Sequence, residues 1–460
     1  MRKQMIRRSR WFNLFRLTAI AGISSVIFIS CSSNSFETMV VAVEVQNSSN
    51  GSYDGAKLIA IDIQNPGKAA RVLSTEFESA AAPAITYDGR YLYFQGKKEG
   101  DQTWQIWVTD LQKKRTTRVT DLPENCIQPA PLPDGTLIFS RESNVKGKLV
   151  YDLYRCQMDG SALTRITYNP AFNIQTSVIQ EGRILYVSSE QYPESRIPSL
   201  MVMRPDGTKS ETYFRGTDLT FPISGAAEST EGYTYFIDNS GQVCRVLHRR
   251  PLHTFECLTD ALPGRFSTIY PTEGSNNLVS YKATETELFA LYSFDASTRE
   301  APVLLYKTDG NIVDPLLVTA MDTRPLKLPS AVNPANPTGL LMSQDINHSM
   351  LPVNRGVTGD TLADRIRVST FEGELAVVEV KADGSFYLKL DADKPIRIEA
   401  LNSQGETVRG PSDWIYLRDN ERRACVGCHA DPELAPINRQ PLAVKEDPVI
   451  LVAKQLATGN

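Results

Sequence analysis

One unit recurs five times across the first two thirds of this chain, and that repeat limits the fold more than any other feature. It reads PAITYDGRYLYFQG…QIWVTDLQKKRTTRVTD, then PAPLPDGTLIFSRE…DLYRCQMDGSALTRITY, then SVIQEGRILYVSSE…SLMVMRPDGTKSETYF. It continues as GAAESTEGYTYFIDN…QVCRVLHRRPLHTFECLTD and IYPTEGSNNLVSYKA…ELFALYSFDASTREAPVLLY. The turn glycines Gly89, Gly135, Gly182, Gly232 and Gly274 set a period of 42 to 50 residues. Each unit holds a turn and three short strands of alternating apolar residues, the spacing expected of β-propeller blades. Before the first full unit, VVAVEV, KLIAIDI and ARVLS read as the later strands of an incomplete blade. After the last, NIVDPLLV can supply its missing strand, which would close a ring of six blades and leave no free sheet edge.

The units resemble the TolB-like (PD40) propeller repeat, with its D-G turn before an apolar strand. A propeller supplies a scaffold or a docking surface and does not by itself disclose a function. No catalytic constellation is evident in the repeats.

Residues 322–338, DTRPLKLPSAVNPANPT, carry Pro325, Pro329, Pro334 and Pro337. Such a run supports neither a helix nor a central strand. It divides a propeller over 31–321 from a second domain over 339–460. There RIRVSTFEG, ELAVVEVKADGSFYLKL and KPIRIEALNSQGETV alternate apolar and polar residues between glycine-bearing turns, the pattern of a small β-sandwich. A short helix is expected near 448–457. The chain is therefore read as mainly β.

The second domain contains ERRACVGCHADPELAP, with Cys425, Cys428 and His429 in Cys-x-x-Cys-His spacing. That is the attachment pattern for c-type haem. The thiols add across the vinyl groups, and the adjacent imidazole falls under the iron. A zinc site would need a second ligand pair, and no Cys, His or Met follows His429. A redox dithiol and a chance pattern remain as alternatives. The haem-binding segment is placed at 419–445. A distal iron ligand must come from upstream, and His348 and Met350 in MSQDINHSMLPVN are the candidates.

The N-terminus carries Arg2, Lys3, Arg7, Arg8, Arg10 and Arg16 with no acidic residue, followed by the apolar run Leu17–Ser30. That run is shorter than the about 20 residues a transmembrane helix needs, and it fits an export signal over 1–30. Ser30–Cys31 resembles a bacterial lipoprotein cleavage site, with Cys31 as the lipidated first residue. The expected location is the periplasmic side of the envelope, held to the membrane, with Ser32 fitting an outer-membrane address. Apocytochromes c receive haem outside the cytoplasm, so the two ends of the chain agree.

Removing the leader takes six of the 49 basic residues and none of the 53 acidic ones, leaving a net charge near −10. That excludes nucleic acid as an expected partner. A protein redox partner is expected instead. In CRVLHRRPLHTFEC, a hairpin turning at Arg250 and Pro251 would pair His248 with His253 and Cys244 with Cys257. Opposed cysteines in an exported protein suggest a cross-strand disulfide. The two pairs would lie about 13 Å apart along the ribbon, too far to share one metal ion. Cys126 and Cys156 are read as buried fillers.

The propeller, the linker RPLKLPSAVNP, the segment VKADGSFYLKLDADKPIRIEALNSQGE and then WIYLRDNERRACVGCHADP, in this order, resemble the hydrazine synthase alpha subunit and its bacterial relatives. The likeness covers nearly the whole mature chain and is sharpest over 383–432. It implies one haem held by Cys425 and Cys428, with His429 at the motif histidine. In that family a tyrosine just beyond the motif binds the iron; here no tyrosine follows Cys428 and Glu433 stands in the neighbourhood. The family also carries a second haem domain, whereas this chain ends 31 residues after His429. Electron transfer through one haem is thus expected ahead of hydrazine chemistry. A haem enzyme acting on a small nitrogenous substrate is the second reading, and an interaction module stapled by haem the third.

Overall fold

The structure is a computed structural model and describes residues 39–46, 53–217, 219–321, 324–350, 352–427, 431, 433 and 438–452. Between Met39 and Val318 its strands fall into six four-stranded units. Two of them are joined edge to edge by a single parallel bridge, Tyr151 to Phe172. The ring closes as the sequence suggests. Asn311–Val318 lies antiparallel to Met39–Val45, which continues into Lys57–Asp62 and Arg71–Val72. The two central strands of this blade are buried on both faces, which is why VVAVEV and KLIAID read as nearly unbroken apolar runs. The turn glycines do what their spacing implies. Gly135 and Gly182 adopt φ of +83° and +87°, where a side chain would be strained.

Two further four-stranded sheets form the sandwich. One orders Arg422–Cys425, Thr338–Ser343, Phe386–Asp391 and Val449–Leu451; the other orders Gly373–Glu379, Arg365–Thr370, Arg397–Leu401 and Thr407–Arg409. Leu341, Ile366, Val368, Leu388 and Ile398 meet between them. In Phe386–Asp391 alternate residues are buried, as one-sided packing demands.

The helix expected near 448–457 is not formed by its described part. Val449–Leu451 is a strand running parallel to Leu388–Leu390. Two β-branched residues after Pro448 favour extended backbone, and the open sheet edge accepts it. The only helical turn among the described residues is the 3₁₀ turn Leu442–Lys445.

The two domains are tied by charged groups taken out of water. Glu190 of the propeller and Arg397 of the sandwich are 8% and 7% exposed and meet at 2.6 Å. Glu190 also accepts the Trp414 amide at 2.6 Å, while the Arg397 guanidinium lies over the Trp414 ring. Tyr416 donates to the Ile166 carbonyl at 3.1 Å, and Arg418 to the Asp206 carbonyl at 2.9 Å. The proline-rich segment runs along the propeller. Leu326 donates to the Gln180 carbonyl, and Ser330 and Ala331 both donate to the Asp206 carboxylate.

Candidate functional site

The Cys-x-x-Cys-His motif begins where the sandwich ends. Arg422–Cys425 lies parallel to Thr338–Ser343, with Ser343 opposite Cys425 and the Gln344 amide donating to the Cys425 carbonyl at 2.9 Å. Buried Glu421 sets the start of this strand. Its carboxylate accepts the Lys209 amide from the propeller and the Arg418 amide, each at 2.9 Å, and pairs with Arg423. The Cys425 side chain packs on the sandwich core. Burial pushes its thiol up, with Arg423 and Lys209 acting in the opposite sense.

Gly427 comes next and lies hard against the loop after Ser343. A Cβ at this position would overlap the carbonyl oxygen of His348 and come within 3.0 Å of the His348 Cβ. The motif therefore needs glycine here, so that two backbones can touch. It also places the candidate His348 directly beside the motif. His348 and Met350 are exposed, Met350 at 68%. Cys428 and His429 lie outside the described residues, as do Cys31 and the leader. Among the described residues no helix is long and apolar enough to cross a membrane.

On the far side of the motif the chain is held by the propeller. His253 Nε2 meets Asp431 Oδ2 at 2.5 Å, and the Leu252 amide donates to Glu433 Oε1 at 2.7 Å. The Glu433 amide donates to Asp431 Oδ1 at 2.8 Å, and Arg250 stands 3.6 Å from Glu433 Oε2. Burial opposes ionisation of Asp431, but the bonds from Glu433 and His253 outweigh it and hold the carboxyl below its usual value. Donor atoms of His253, Asp431 and Glu433 lie within 4.8 Å of one another, a spacing compatible with a bound cation. Gly427 and Asp431 are thus fixed on different domains, and Cys428–Ala430 connect them.

Glu433 stands out in the sequence, but its partners do not. The hairpin that receives it is 181 residues away, and no local pattern announces the contact. The hairpin itself is only half as read. Cys244 does pair with Cys257 and Arg245 with Glu256. Both cysteine thiols are free and adjacent, Cys244 buried and Cys257 half-buried. Their mutual hydrogen bond raises the Cys244 pKa and lowers that of Cys257 to about 7. His248 and His253, however, do not pair. The ladder stops at Arg245, because the Leu247 amide turns to the Thr254 hydroxyl and two tight turns follow, Leu247–Arg250 and Arg250–His253. His248 faces Glu181 and Glu228 of the propeller, and His253 faces Asp431. Cys126 and Cys156 are buried as expected, with their thiols pushed up to about 12 by burial.

The arrangement defines a class: a closed β-propeller carrying a β-sandwich, with Glu421, Asp431 and Glu433 on either side of the motif bonded to the propeller. Residues 347–430 match the family model described as the hydrazine synthase alpha subunit middle domain. Hydrazine synthase subunit alpha of Kuenenia stuttgartiensis is 21% identical over an alignment covering 82% of this chain and 62% of that protein. The solved Kuenenia stuttgartiensis hydrazine synthase superposes with a TM-score of 0.77 at 18% identity, covering 89% of this chain and 71% of its own. TolB from Acinetobacter baumannii overlaps 62% of this chain and 67% of its own, with a TM-score of 0.43 at 16% identity. The chain is similar in sequence and fold to the hydrazine synthase alpha subunit, and it spans about 62% of the length of the curated relative.

Proposed function

We propose that this protein is an exported, lipid-anchored cytochrome that carries one covalent haem c on Cys425 and Cys428 and passes electrons to a protein partner. The observation that carries this reading is the double anchorage of the motif. Strand Arg422–Cys425 fixes one end against the sandwich, and the His253–Asp431 contact fixes the other on the propeller. Flanking positions fixed on two domains suit a group that must be presented in one orientation. The donor set also fits. Cys425 is half-buried at a strand end against apolar residues, where a thioether would replace a thiol that gains little from ionising. Cys425 and Cys428 would hold the haem, and His429 would offer the proximal imidazole. Bound there, the group supplies one-electron redox chemistry.

His348 is favoured over Met350 as the distal ligand because its backbone lies against Gly427. A low-spin ferrous spectrum that carbon monoxide leaves unchanged is expected, and His348→Ala should turn it high-spin. If the unmodified protein is already high-spin and binds carbon monoxide readily, the electron-carrier reading gives way to an enzyme. That second reading is favoured by one observation, the His253, Asp431 and Glu433 side chains gathered beside the motif. The substrate of such an enzyme would be a small nitrogenous molecule, as the name of the curated relative suggests for that protein.

The anchor lies on Cys31. Cys31→Ala should move the protein from the membrane pellet to the soluble periplasmic fraction; unchanged sedimentation would rule out lipid on that residue.

A further inference from the structure

The propeller has a second candidate site, on its own axis and independent of the haem reading. Lining the centre of the propeller stand Ala82, Gln128, Gln175, Gly225, Thr268 and Asp314, one from each of the six units. They form a ring around a cavity of about 370 Å³, a size suited to a small organic ligand. Ala82, Gln128, Gln175 and Asp314 hold left-handed backbone, with φ between 50° and 54°. For residues with side chains such a conformation is costly and gathers at functional sites.

The ring is bonded to itself. The Gln175 amide donates to Gln128 Oε1 at 2.8 Å, and the Asp314 amide donates to Thr268 Oγ1 at 3.1 Å. Two polar atoms are left over. Gln175 Oε1 and Thr176 Oγ1 are withdrawn from solvent and have no hydrogen-bond partner. Such atoms are destabilising unless something completes them. Asp314 receives the Tyr53 hydroxyl at 2.7 Å on Oδ2, and no bond to Oδ1 is seen among the described residues. Its carboxyl is drawn in from bulk water, which pushes its pKa up, yet part of its surface still faces the cavity.

The charge of the lining points one way. Asp314 and Glu228 are in the lining, where Glu228 is already met by the Gln180 amide and by His248, and no lysine, arginine or histidine is among the described lining residues. Tyr53, Tyr87 and Tyr270 line it as well, and Pro83, Pro129 and Pro315 add apolar walls. The Asp314 carboxylate, an orphaned carbonyl oxygen and aromatic walls make a receptor for a positively charged donor.

We propose that the propeller channel binds a small organic ammonium ion, with Asp314 as its counter-charge and Gln175 Oε1 accepting one of its N–H bonds. The test is calorimetric titration of the full chain with 1,5-diaminopentane, alongside 1,5-pentanediol and glutarate as neutral and anionic counterparts. The diamine should bind saturably, the diol and glutarate should not, and Asp314→Asn should weaken the diamine about tenfold or more, as expected for losing a charge-assisted bond. Should Asp314→Asn fail to fold, the three ligands on the unmodified protein decide the matter alone. The proposal is overturned if the diamine does not bind at millimolar concentration, if the diol or glutarate binds as tightly, or if folded Asp314→Asn binds the diamine unchanged.

Discussion

Replacing Cys425 and Cys428 together with alanine is expected to abolish covalently held haem, while Cys428→Ala alone should retain a single thioether through Cys425. The asymmetry follows from position. Cys425 is set by a sheet register, opposite Ser343 and against the sandwich core, so its sulfur is placed whether or not the rest of the motif is engaged. The check is haem staining of denatured protein on a gel, with absorbance of the folded protein measured in parallel. Equal staining of the double variant would mean that the colour is held elsewhere or is not covalent. The double variant should still fold, because the strand is secured by Glu421 through Lys209, Arg418 and Arg423 rather than by either thiol.

Arg397→Met should be the most destabilising single change at the domain junction, costing about 3–5 kcal/mol in denaturant unfolding near neutral pH. The reason is what remains. Glu190 would keep the Trp414 amide and the more distant Arg196 at 3.6 Å, but would lose its 2.6 Å partner in a site with little water. Burial already pushes the Glu190 carboxyl up, reinforced by nearby Asp413 and only partly offset by the Trp414 amide, Arg397 and Arg196. Its folded pKa therefore lies above the unfolded one, so the native state holds the proton more readily. Its contribution to stability is greatest below the unfolded pKa and is lost as pH rises through the raised folded value. The deficit of Arg397→Met should accordingly shrink as the pH is lowered toward the carboxylate range. A loss of under about 1 kcal/mol, typical of an exposed ion pair, would show that the junction is wet or loose.

What could be read in advance was whatever depended on local pattern. The closing strand Asn311–Val318 was legible because an apolar run followed the last complete unit while a strand was missing from the first. The Cys244–Cys257 register was legible because a tight turn fixes opposite positions by counting. Counting failed one step nearer the turn, where the Thr254 hydroxyl captures the Leu247 amide and sends the two histidines apart. The run after Pro448 was misread because only its neighbour, Leu388–Leu390, makes it a strand. Contacts between domains left no trace at all. Glu190 and Arg397 are 207 residues apart, and His253 and Asp431 are 178 apart. Each is an ordinary charged residue in its own neighbourhood. The channel ring was hidden for another reason: its members share a position in the blade but not a residue type, so the repeat is visible while the site it encloses is not.

Everything proposed for the motif depends on covalent haem at Cys425 and Cys428. Its most direct test is the intact mass of the protein under denaturing conditions, after expression in a host competent for cytochrome c maturation. The expected mass is that of the polypeptide plus one haem, with the colour staying on the protein through acid–acetone extraction. A colourless protein at the mass of the bare polypeptide would contradict it.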